Sequence, residues 1–184
     1  RRRGAMLVLD EAFIEFAPEG LSLVREAPRR PNLLVLRSLT KSFALAGLRL
    51  GYLVARAELV ERVSRWQPPW SVNALAQLAA VECAGRADHL RRTRGYLRRE
   101  RRLLERALGG FPELEPLPSA ANFLLVRLRG VSAAGLSAEL ARRGVLVRDC
   151  SGLPGLRGEF IRVAVRRRRE NLRLISVLRE ALGG

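Results

Sequence analysis

Apolar positions recur along this chain in two textures. In the first part they form short unbroken runs, at residues 5–10 (A-M-L-V-L-D), 33–37 and 52–55. Such runs predict strands, and the continuous run at 5–10 suits a strand buried on both faces of a parallel sheet. Pro18-Glu19-Gly20 predicts a turn, residues 21–26 a short helix, and residues 57–65 a helix that Pro68-Pro69 breaks. From about residue 71 to 109 the spacing becomes helical, with a candidate interruption near Gly85 and arginines on the exposed faces. After Gly109-Gly110 the texture changes. Strands are predicted at 114–117, 122–128, 145–148 and 159–165, with helices at 133–143, stopped by Gly144, and at 169–182. The expected class is α/β: a mostly parallel sheet with flanking helices over residues 1–84, a connecting helix over 85–110, and a small α+β domain over 111–184.

Composition narrows this picture. At 184 residues and 48% apolar, the chain can bury a core, as one domain or as most of one domain with part of another. The formal charge of +16 would suggest nucleic acid or an anionic surface. The arginines are instead scattered through amphipathic helices with few aromatics between them, and no binding motif is present, so neither nucleic acid nor membrane is expected as a partner. Cys83 and Cys150 lie far apart without metal or disulfide spacing, which fits a cytoplasmic location. Arg1–Arg3 before an apolar run imitates a signal peptide, but Asp10 and Glu11 end that run too early. No stretch is long enough to span a membrane. The chain begins on Arg, directly in a strand, as expected for the C-terminal part of something longer.

Candidate chemistry centres on Lys41, the only lysine among 34 basic residues. Arginine cannot replace lysine where an amine must lose its proton and attack a carbonyl. Asp10 closes one predicted strand, and Ser38, Thr40 and Lys41 follow another, so all four are expected at the carboxyl edge of one sheet. An electron-sink cofactor needs an amine to hold its aldehyde and a carboxylate to keep its pyridine nitrogen protonated. Ser38 and Arg49 flank Lys41 at spacings that suit a phosphate, and Gly47 and Gly51 permit close backbone approach.

These residues carry a resemblance. Asp10-Glu11-Ala12-Phe13, Ser38-Leu39-Thr40-Lys41 and Gly47-Leu48-Arg49-Leu50-Gly51 resemble the pyridoxal-phosphate core of class I/II aminotransferases of fold type I. The branch is the one holding histidinol-phosphate aminotransferase and threonine-phosphate decarboxylase. Later segments agree in order: Pro69-Trp70-Ser71-Val72-Asn73, Ala121-Asn122-Phe123, Val147-Arg148-Asp149-Cys150 and Ile161-Arg162-Val163. The resemblance implies pyridoxal 5'-phosphate as cofactor, joined to Lys41 as a Schiff base, with Asp10 on the pyridine nitrogen and Ser38 and Arg49 on the phosphate. It implies Arg162 on the substrate α-carboxylate, Arg148 on the substrate's phosphate or carboxylate end, and Asn122 and Asn73 near the substrate. Without the resemblance, Asn122 reads equally as a turn residue, and Arg148 and Arg162 as solvated surface. It further implies a cytoplasmic homodimer, an upstream part outside this sequence, and no activity from these residues alone.

Phe13 departs from the family pattern, which has Tyr there, so a hydroxyl bond to the cofactor ring is lost. Asp-Glu-Ala-Phe, Pro-Trp-Ser-Val-Asn and Arg162–Arg166 resemble threonine-phosphate decarboxylase of cobalamin biosynthesis more than histidinol-phosphate aminotransferase of histidine biosynthesis. Two other readings stand beside these. Leu7–Ala12 also resembles a Walker B strand, but G-x-x-x-x-G-K-[ST] is absent. A basic nucleic-acid module would rest on net charge alone. His89, the only histidine, is expected to face solvent, and Trp66 and Trp70 to pack near the hinge or line the site mouth.

Overall fold

The computed structural model describes residues 4–183, so Arg1–Arg3, the basic start of the signal-like stretch, lie outside them. The chain divides into two compact units, residues 1–94 and 95–184. In the first, strands β1 (Leu7–Asp10), β2 (Leu33–Ser38) and β3 (Gly51–Val54) form a sheet in that order. β1 and β2 are parallel, with Asp10 opposite Leu36, whereas β2 and β3 are antiparallel. The expected mostly parallel sheet is therefore mixed among the described residues. The connection from β2 to β3 contains only the 3-10 turn Ala46–Leu48 and no crossover helix, so the chain returns beside itself in the opposite direction.

Three local expectations are corrected. The helix predicted at 21–26 is a turn followed by the 3-10 turn Ala27–Arg29. Leu23 O accepts from Glu26 N and Ala27 N, but Pro28 has no N–H to continue the ladder. Among the described residues β1 is not buried on both faces: it lies at the sheet edge, and Leu7 and Val8 are 49% and 54% exposed. The strand predicted at 145–148 is the two-residue β6 (Arg148–Asp149), because Val145 N donates back to Leu140 O at the helix end. Gly144, at φ +76°, supplies the left-handed turn that makes this helix end possible.

Helices α1 (Ala57–Ser64) and α2 (Ala74–Ala84) follow β3, and α3 (Ala87–Leu108) crosses the unit boundary. The long helical region thus breaks at Gly85-Arg86, near the predicted glycine. Ala27, Leu33 and Val35 form the first unit's core, with Leu9, Val24 and Val54 packed against it.

The second unit has a four-stranded antiparallel sheet in the order β4 (Leu114–Pro116), β5 (Phe123–Leu128), β7 (Phe160–Ala164), β6, with α4 (Ala133–Arg142) and α5 (Arg168–Ala181). Strand alternation sends Leu124, Val126, Leu128, Ile161 and Val163 to one face, and all are buried. Leu104, Leu108, Leu140 and Leu178 are the fully buried helical leucines described in this unit.

One ion pair here is anchored in the interior. Glu100 is 2% exposed; it receives Arg168 Nη2 at 2.8 Å and Asn171 Nδ2 at 3.0 Å. The Arg168 hydrogen bond, opposed by burial and aided by Asn171, holds the Glu100 carboxyl below its ordinary value of 4.5. A depressed folded value means stability present above about 4.5 and lost as pH falls through the folded value. Melting temperature measured from pH 7 towards pH 3 is expected to fall less steeply in Glu100→Gln than in the unsubstituted protein.

Candidate active site

Parallel pairing of β1 and β2 opens both carboxyl ends on one edge of the first sheet. β3 enters the sheet at that same edge, with Gly51 opposite Ser38. Asp10, the segment Ser38–Lys41 and the segment Arg49–Gly51 are therefore gathered by topology alone. The approach of β3 is close: a Cβ at Gly51 would lie 3.0 Å from Arg37 O, so a larger residue would press on the β2 backbone.

Lys41 is exposed, and its Nζ donates to Thr40 Oγ1 at 3.0 Å. Thr40 is 4% exposed, and its hydroxyl also lies 2.8 Å from Ser38 Oγ. Ser38 Oγ in turn accepts from Thr40 N at 3.3 Å. The Lys41 ammonium sits over the Phe13 ring, 5.8 Å from its centroid. Phe13 belongs to the turn that begins at Asp10, whose Oδ1 accepts from Ala12 N at 2.9 Å. The ring thus links the amine to the carboxylate's turn.

Arg49 is exposed in the left-handed region at φ +53°, and its Nη1 donates to Ala46 O at 3.1 Å. Asn73 caps α2: its Oδ1 accepts from Ala76 N at 2.9 Å, and its Nδ2 donates to Leu48 O at 3.4 Å. This cap touches the loop that carries Arg49.

The second unit places Arg148 and Arg162 directly opposite each other on β6 and β7. Both are exposed on the sheet face away from the buried one, and the Arg162 guanidinium lies 5.1 Å from the Phe123 centroid. Like charges in direct register repel, so this pair favours an anion between or above the two guanidiniums. Asn122 stands apart. It lies in the bend just before β5, its carbonyl accepts from Val165 N at 2.8 Å, and its Oδ1 is buried without a hydrogen-bond partner among the described residues.

Sequence reasoning placed Thr40 at this edge without a role and missed the surroundings of several other residues. Thr40 joins Ser38 to Lys41. His89 does not face solvent: it is half-buried, its ring stacks on Phe43, and its Nε2 donates to Ser42 O at 2.9 Å. Helical periodicity around His89 gives no signal for this, because its partner is 47 residues away. Trp66 and Trp70 are 90% and 97% exposed. Glu11 is buried and receives Leu23 N, Ser22 Oγ and Arg37 Nη1, so it lacks the freedom to activate water that a Walker B role requires.

The profile of the family described as aminotransferase class I and II matches residues 1–178. The chain belongs to that family. A threonine-phosphate decarboxylase of Salmonella typhimurium is 40% identical over 179 residues, covering 97% of this chain and 49% of that protein. A histidinol-phosphate aminotransferase of Methanococcus aeolicus is 34% identical over 177 residues, covering 96% of this chain and 48% of that protein. The chain thus spans about half the length of the curated relatives it matches. Among solved structures, the histidinol-phosphate aminotransferase of Clostridium acetobutylicum matches with a TM-score of 0.89 at 28% identity, over 95% of this chain and 53% of that one. That of Sinorhizobium meliloti, solved in complex with pyridoxal-5'-phosphate, matches at 0.83 and 26% identity, over 96% of this chain and 48% of that one. Family membership and that complex support pyridoxal phosphate as the cofactor of the site. The donor set fits it: an amine, a carboxylate, two hydroxyls and a guanidinium at one sheet edge, as an aldehyde, a pyridine nitrogen and a phosphate require.

Proposed function

We propose that this chain is part of a pyridoxal-phosphate enzyme acting on a phosphorylated amino-acid-type substrate, most specifically a threonine-phosphate decarboxylase. The observation that carries the reading is Lys41, the sole lysine, with its Nζ over Phe13 in the turn that starts at Asp10. When bound, the cofactor would supply a sink for the electron pair released at the substrate Cα. Lys41 Nζ would hold the cofactor covalently and then carry the proton exchanged at Cα. The Asp10 carboxylate would keep the proton on the pyridine nitrogen. Ser38 Oγ and the Arg49 guanidinium would hold the phosphate, and Thr40 would orient the Lys41 amine.

Arg162 would grip the substrate α-carboxylate, and Arg148, opposite it in register, the substrate's phosphate end. Asn73 would act through the Arg49 loop, and Asn122, a substrate-side residue by family resemblance, has a buried Oδ1 without a hydrogen-bond partner among the described residues. By the direction in which it holds the carboxylate, Arg162 decides which Cα bond breaks. The proposed assembly is a cytoplasmic homodimer. Histidinol-phosphate aminotransferase is the second reading, supported by relatives and structures of that name. Phe13, together with Pro69–Asn73 and Arg162–Arg166, supports the first.

The deciding measurement uses protein expressed from its full reading frame and loaded with pyridoxal phosphate. Carbon dioxide release from threonine phosphate, without any keto acid, is expected. No release, together with consumption of 2-oxoglutarate in the presence of histidinol phosphate, would overturn the decarboxylase in favour of the aminotransferase.

A further inference from the structure

Beside Lys41 the loop after β2 is tied to the turn after β1 by groups that the proposed chemistry does not use. Glu15 lies in the 3-10 turn Ile14–Phe16, and Ser42 follows Lys41 directly. They are 9% and 6% exposed. The Ser42 hydroxyl donates to Glu15 Oε2, and Arg37 Nη2 donates to Glu15 Oε1 at 3.1 Å. The same guanidinium, through Nη1, also reaches Glu11 Oε2 at 3.3 Å and Ser22 Oγ at 3.2 Å.

Ser42 is held from a second side by the His89 Nε2 bond to its carbonyl. A carbonyl only accepts, so Nε2 carries a proton in this arrangement. Arg94 Nε, also from α3, donates to the Glu15 carbonyl at 2.7 Å. The turn and the loop are therefore both pinned to one helix as well as to each other.

A carboxylate this buried persists only when paired. Arg37 is shared between two carboxylates, so one oxygen of Glu15 is left for the Ser42 hydroxyl. That bond is charge-assisted and directional. It removes the freedom of Ser42, and the adjoining Lys41 backbone inherits the restraint. The turn that presents Glu15 also carries Asp10 at its start and Phe13 beneath Lys41 Nζ. One short segment thus addresses the amine in two ways and bears the carboxylate meant for the other end of the cofactor.

We propose that Glu15, acting through Ser42 and backed by His89, is a positioning residue that fixes Lys41 Nζ relative to Asp10. This rests on Lys41 being the cofactor-bearing amine. The test reads attachment rather than turnover. Protein from the full reading frame is stripped of cofactor, supplied with pyridoxal phosphate, quenched at intervals with borohydride and mapped by peptide mass.

Ser42→Ala is expected to slow attachment at Lys41 on the order of tenfold or more. It should also move the pH midpoint of the attached cofactor's visible absorbance. Ser42→Thr, which keeps the hydroxyl, should restore both. Glu15→Gln keeps an acceptor oxygen without the charge and should slow attachment less than Ser42→Ala. Ser22→Ala, which removes a hydroxyl from the same ion cluster on the side away from Lys41, should lower the melting temperature and leave attachment unchanged.

Equal attachment rates and midpoints in Ser42→Ala and the unsubstituted protein would overturn the proposal. So would a threonine that fails to restore them, or a Ser22→Ala variant slowed as much as Ser42→Ala. If the unsubstituted protein acquires no cofactor mass on the Lys41 peptide, the assignment of Lys41 itself falls, and this proposal with it.

Discussion

Replacing Lys41 by alanine is expected to abolish covalent retention of pyridoxal phosphate and to stop turnover. No second lysine stands among these 184 residues to take over. Arginine neighbours cannot substitute, because a guanidinium does not give up its proton to become a nucleophile. The lost proton transfer alone corresponds to a factor of about 10²–10⁴ in rate. Mass spectrometry after borohydride reduction checks the first expectation, and product formation the second. Melting should change little, because the Lys41 side chain is exposed and its hydrogen bond goes to the hydroxyl of its neighbour Thr40. A Lys41→Ala protein that still carries the cofactor's mass after reduction would sink the functional reading.

Arg162 carries the next largest expectation. Its guanidinium is already oriented by the Phe123 ring at 5.1 Å and faces Arg148 across the β6–β7 ladder. Replacing Arg162 by leucine is expected to reduce kcat/KM on the order of a hundredfold, through loss of the planar fork that pairs with a carboxylate. Arg162→Lys should recover only part of this, since an ammonium keeps the charge without the two parallel donors. Steady-state kinetics on the substrate, and the inhibition constant of an analogue that lacks the α-carboxylate and so binds without being turned over, check the assignment. The analogue should be indifferent to Arg162→Leu. Equal losses on both compounds would mean that Arg162 serves the sheet and not the carboxylate.

Much of the fold was legible along the chain. The strands at 33–38 and 123–128, the break near Gly85 and the end of α4 at Gly144 follow from local rules: apolar run length, and glycine where the backbone turns left-handed. The loss of the helix expected at 21–26 was only partly legible: Pro28 stands in the sequence, but Glu11 captures Leu23 N and Ser22 Oγ from outside the segment. Among the described residues β1 is an edge strand. An apolar run records what a strand can bury, and only sheet order tells what lies beside it.

For the candidate site the division is sharper. The sequence by itself singled out Lys41 by its uniqueness, and Asp10 and Ser38 by their places at the ends of apolar runs. Those signals are local and need no partner to be read. The sequence also carried the family, through motifs that keep their order over nearly the whole chain. Only the tertiary structure decided the supporting cast. Phe13 beneath the amine, Glu15 and His89 on Ser42, and Arg148 opposite Arg162 are relations between residues brought together by strand pairing and helix packing. A carboxylate in Ile14-Glu15-Phe16 marks a buried charge that must find a partner, but its chemistry does not name that partner. Pairing depends on distance in space, and separations of 27 and 47 residues along the chain carry no trace of it.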